Sequence, residues 1–151
     1  VTVETTDTAP ARTAATPGLL RRTAVPLGLL GGVVAAFAYV GAVDPNQPGH
    51  YPACPLLQVA GIYCPGCGGL RSAHAIAHGD VTAALGANAL AVAAYALFAV
   101  GWTVWVVRAA RGRRGSPFGL RLGRVHLWAL GVVVLAFTVV RNLSFGGFLH
   151  P

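Results

Sequence analysis

Three apolar runs without a single charge limit this chain more than anything else in it. Residues 24–43, 87–107 and 125–140 are twenty, twenty-one and sixteen residues long, and none contains Asp, Glu, Lys or Arg. As helices the first two would each be about 30 Å long, the thickness of a bilayer's hydrocarbon core. The third would be about 24 Å, and it reaches if Arg124 and Arg141 snorkel outward and the helix continues to residue 142. Composition agrees. The chain is 55% hydrophobic and 10% charged, where a soluble domain has about 25% charged residues. Its mean hydropathy is +0.64. The fold expected is an all-α membrane protein with three transmembrane helices, at about 24–43, 87–107 and 125–142, in a single membrane domain over 19–151. A cleavable signal peptide, with Ala36-Phe37-Ala38 as its cleavage site, is the competing reading of the first run. That run exceeds a usual signal core, and Arg21-Arg22 lacks the rest of an export motif.

Charge sets the expected orientation. All eleven basic residues are arginine, and the pI is about 10.4. Such a pI suits nucleic acid only when a soluble face presents it. Here the arginines flank apolar runs, as membrane topology requires, and no nucleic-acid partner is expected. With the N-terminus in the cytoplasm, Arg12, Arg21, Arg22 and the six arginines of an arginine-rich loop (108–124) lie inside, opposed by Glu4 and Asp7. Outside, Arg71 and Arg141 balance Asp44 and Asp80. The whole net charge of +7 then falls on the cytoplasmic side. The expected location is the cell membrane, with an extracytoplasmic cysteine segment over 50–80. Residues 1–18, rich in Thr, Ala and Pro, are expected to be a disordered cytoplasmic tail. Trp102, Trp105, Phe145 and Phe148 read as interfacial anchors. The chain has no methionine, so Val1 is expected to reflect an alternative start codon, and the Ala/Gly/Arg bias a GC-rich bacterial source.

The chemistry sits in one stretch. Cys54, Cys64 and Cys67 are the three cysteines, in a C-x9-C-x2-C pattern with Pro55 and Pro65 after the first two and Gly68-Gly69 after the third. Residues 44–49 form a turn, 70–78 a short helix ended by Gly79, and Asp80 an N-cap for a helix running through Gly86 and Asn88 into the second span. Three readings of the cysteines stand. They can bind a metal, zinc being the natural ion, with a fourth ligand from His50, His74 or His78, His74 being preferred, beside Cys54, Cys64 and Cys67. They can cycle as a dithiol, Cys64 and Cys67 forming the pair and Cys54 resolving. On that reading the start of the helix behind Cys67 would lower its thiol pKa. Or they form one inert disulfide. Other features have plainer readings. Arg71, His74 and His78 share a helical face, which serves a ligand or simply faces water. Arg141 pairs with Asp80 or Asp44, or snorkels. Gly28-x-x-x-Gly32 is a helix-packing motif or a coincidence in a Gly-rich chain.

The order Cys54, Gly61, Cys64-Pro65-Gly66-Cys67-Gly68, Arg71, Gly79-Asp80, Ala84-Leu85, Asn88 and Arg141-Asn142 resembles the bacterial domain-of-unknown-function 2752 family, small membrane proteins with a CPxCG motif. Two positions depart. Leu70 stands where many members have threonine. Ala89 replaces a proline that often follows the asparagine, so the second span is expected to start without a kink. The resemblance implies a membrane architecture and marks Gly68, Arg71, Asp80, Asn88, Arg141 and Asn142 as supporting residues, but it implies no reaction. The function expected is a binding or scaffolding module with a cysteine-based outer site, held by a structural metal or a disulfide. It would lie in the lipid bilayer with a membrane-protein partner or a second copy. The alternative is a membrane thiol-disulfide oxidoreductase using Cys64 and Cys67.

Overall fold

The computed structural model describes residues 18–113 and 123–143, and within them every regular element is helical. The expectations for residues 1–17, 114–122 and the two phenylalanines at 145 and 148 lie outside the described residues. The helices are α1 (Leu19–Ala42), α2 (Pro55–Ala60), α3 (Gly69–Ala77), α4 (Val81–Ala110) and α5 (Arg124–Arg141). Of these, α1, α4 and α5 are long and apolar enough to cross a membrane.

The first span starts earlier than its charge-free run, taking in Arg21 and Arg22, whose long side chains let a helix begin before the hydrocarbon does. It also contains Pro26, which is buried. A proline inside a span is tolerated when neighbours occupy the freed backbone groups. The indole of Trp102 donates to Pro26 O at 2.9 Å and ties α4 to α1 at this point.

The second span differs more. A helix does run from Val81 to Ala110, but Asn88 has extended backbone (φ −164°, ψ 96°), so it breaks there. The expectation of an unkinked start, based on Ala89, fails because the asparagine side chain makes the break itself. Its Oδ1 accepts from Ala91 N at 2.9 Å and so recaps the second half of α4. The break frees carbonyls, and the buried Ser72 hydroxyl donates to Ala84 O at 2.8 Å.

α1, α3 and α4 pack on one another. Gly41 permits the α1–α3 approach, since a Cβ there would come within 3.2 Å of Ala77 Cβ. Tyr95 links α4 to both neighbours, donating to Gly69 O at 3.1 Å and meeting the Phe37 ring edge-to-face at 5.3 Å. α5 joins through Arg141 and Asn142 at its C-terminal end. The end of α1, the cysteine segment, the start of α4 and the end of α5 thus converge at one end of the molecule. At the other end, Arg22 lies against Gly112.

Candidate functional site: a three-thiol knuckle clamped by two spans

Local sequence brings the sulfurs together. Cys54 is the N-cap of α2, and Pro55 takes the first helical position, where its missing N–H costs nothing. Gly61 ends α2 in the left-handed region (φ 66°), which turns the chain back toward Cys54. The sequence reading missed α2, although this proline-start, glycine-stop pair signals it. Cys64-Pro65-Gly66-Cys67 then forms a tight turn, with Cys67 N donating to Cys64 O at 3.1 Å and Gly69 N to Gly66 O at 2.9 Å. Gly68, at φ 81°, redirects the chain into α3, a backbone state that a side chain would strain. As a result Cys64 Sγ lies 3.0 Å from Cys67 Sγ and 3.5 Å from Cys54 Sγ. All three sulfurs lie within 4.8 Å of one another, and none is in a disulfide.

The carbonyls of the turn are held from two membrane helices. Asn88 Nδ2 donates to Pro65 O at 2.8 Å and to Cys67 O at 2.9 Å. Arg141 Nη1 donates to Cys64 O and Cys67 O, both at 3.1 Å. Asn142 pairs with the backbone of Tyr63, accepting from its N–H at 2.8 Å and donating to its carbonyl at 2.9 Å. Bonds from a charged donor contribute about 1.5–3 kcal/mol each, more than neutral ones. Arg141 and Asn88 are almost wholly buried; losing Asn88 would take the donor from Pro65 O, and losing Arg141 would take the charged donor from Cys64 O and Cys67 O. The Arg141 guanidinium also lies 5.1 Å from the Phe137 ring centroid and 5.6 Å from that of Tyr63. This corrects the expectation that Arg141 snorkels or pairs with Asp80 or Asp44. It turns inward and places its positive charge on the carbonyls of the cysteine turn.

The thiols differ. The Cys54 pKa falls to about 7, first because the Leu57 amide in the first turn of α2 favours its thiolate, then because the Cys67 and Cys64 thiols hydrogen-bond to it. Burial pushes Cys67 up to about 12, and its neighbours Cys64 and Cys54 add to the rise. Sequence position at a helix start pointed to Cys67 as the acidic thiol. Burial outweighs that effect, and Cys54 is the acidic one.

The remaining residues divide. His74 Nδ1 lies 2.8 Å from Val40 O, and its Nε2 faces Asp44 Oδ1 at 3.8 Å. The structure therefore does not bring His74 into the thiol cluster, because it closes the C-terminus of α1 instead. Asp80 caps α4, accepting from Ala83 N at 2.9 Å and from the Thr82 hydroxyl at 2.7 Å. Arg71 lines a cleft with His78 and Asp80.

A family model described as "Protein of unknown function (DUF2752)" matches residues 54–102, which contain the three cysteines, α3 and the Asn88 break. Arg141 and Asn142 lie beyond that match and enter the site through geometry. No curated protein and no solved structure matches this chain.

Proposed function

We propose that this chain, which carries the DUF2752 match over its cysteine segment, is a membrane-embedded binding or scaffolding module built on a three-thiolate metal centre. The observation that carries this is the convergence of Cys54, Cys64 and Cys67 within 4.8 Å, on a turn clamped from both later spans. A dithiol needs two sulfurs. A third, delivered by its own helix cap and carrying the most acidic thiol, suits a cation that prefers thiolates, such as zinc.

The residues fit such an ion with a small adjustment. Thiolates around zinc at about 2.3 Å stand about 3.8 Å apart, so the sulfurs would open slightly from 3.0 and 3.5 Å. Three thiolates on a divalent ion leave one net negative charge, and the buried guanidinium of Arg141 offsets it. Bound metal would fix the turn, and through Asn88 and Arg141 it would fix α4 and α5 as well. The balance of arginines supports an extracytoplasmic position for this end, with the N-terminus in the cytoplasm.

The test is metal and thiol stoichiometry on protein purified without chelator. One zinc per chain is expected, with three thiols becoming titratable in the wild type on chelation and weaker zinc binding in Cys54→Ser. Metal-free protein with a reversible Cys64–Cys67 disulfide would reject it. That outcome would favour the second reading, thiol–disulfide exchange with a partner disulfide, for which the 3.0 Å Cys64–Cys67 separation is the supporting observation.

A further inference from the structure

A concavity of about 430 Å³, mostly apolar but with charged residues in its walls, opens between α3, the first turns of α4 and the turn at Asn46. That is within the range of small-ligand sites. Its walls include Asn46, Arg71, His78 and Asp80, and Gly86 and Ala87 leave room at its floor. The neighbouring ionisable side chains have internal partners. Asp44 accepts from Asn46, His50 reaches Asp44 O, His74 reaches Val40 O and His78 reaches His74 O. Arg71 is exposed and, among the described residues, makes no hydrogen bond or ion pair.

Arg71 and Asp80 thus face one cleft without forming an ion pair with each other. Opposite charges that share a concavity but stay apart suit a ligand carrying both charges in the reverse order. The Asp80 carboxylate is already held ionised by the Ala83 amide and the Thr82 hydroxyl, so its charge is fixed. The guanidinium fork matches an oxyanion and the carboxylate matches an ammonium group. The cleft also lies where α1 ends and α4 begins, at the end of two helices long and apolar enough to cross a membrane.

We propose that this cleft binds a zwitterionic group with a phosphate and a primary ammonium, of the phosphoethanolamine type. Arg71 holds the phosphate and Asp80 the ammonium. The group can arrive on a lipid or as a free molecule. The proposal is independent of the metal centre.

The full chain would be placed in nanodiscs containing a minor fraction of phosphatidylethanolamine, phosphatidylcholine or phosphatidylglycerol. Retained lipid would be measured by native mass spectrometry, and O-phosphoethanolamine would be titrated onto detergent-solubilised protein. Preferential retention of the ethanolamine lipid is expected, weakened about tenfold or more in Arg71→Gln by loss of a charge-assisted contact. Asp80→Asn keeps a good helix cap and should remove only the preference over the choline lipid. Saturable binding of soluble phosphoethanolamine without lipid preference would identify a free ligand as the source. Equal retention of all three lipids with no saturable soluble binding would overturn the proposal. So would unchanged affinity in Arg71→Gln when its thiol count matches wild type.

Discussion

Arg141 sits at the end of an apolar helix, where an arginine ordinarily reaches for water. Here the carbonyls of Cys64 and Cys67 and two aromatic faces outweigh hydration. The family resemblance marked Arg141 as a supporting residue, but its inward turn could not be read from the sequence. The partners are more than seventy residues away, and no spacing rule links a span's end to a distant turn. Arg141→Gln should lose about 3 kcal/mol, the usual effect of breaking a buried charged network, seen as a lower unfolding temperature in detergent. The thiols make a second prediction. A lowered pKa leaves Cys54 largely as thiolate above about pH 7, while Cys67 stays protonated until about pH 12. In reduced, metal-free protein, iodoacetamide mapping should therefore find Cys54 modified first, at a rate rising through neutral pH, and Cys67 last. Cysteine spacing made the cluster legible. It could not rank the thiols, because the ranking depends on burial.

At the scale of elements, the break at Asn88 is the joint between knuckle and membrane. One side chain ends the first part of α4, starts the second and holds two carbonyls of the cysteine turn. The sequence placed the helices well because apolar length and terminal glycines are local signals. It missed the kink because the cause, an amide reaching back to Pro65 and Cys67, is tertiary. Two variants separate the roles of Asn88. Asn88→Asp keeps an oxygen to accept from Ala91 N but loses the amide donors, while Asn88→Ala loses both. Each should be destabilised, by about 1–3 kcal/mol for every buried carbonyl left unpaired. If thermal unfolding instead leaves Asn88→Asp as stable as wild type, the clamp contributes nothing.

Among the described residues, many large apolar side chains are exposed while several of the most buried are polar. Leu97, Trp128 and Leu135 are largely exposed, whereas Ser72, Asn88 and Arg141 are wholly or almost wholly buried. Three apolar helices fit a membrane, and lipid can cover such a surface. The polar knuckle then acts as the piece that gathers three spans, with α5 attached by its end. If the arginine-rich end is cytoplasmic, an impermeant maleimide should label the reduced, metal-stripped cysteines of intact cells before lysis. Labelling that requires lysis would reverse the orientation. The central claim is that Cys54, Cys64 and Cys67 form one metal centre. Zinc-edge X-ray absorption on the full chain tests it most directly. Three sulfurs at about 2.3 Å, falling to two in Cys54→Ser, is the predicted result. A zinc shell without sulfur, or one unchanged by that substitution, would contradict it.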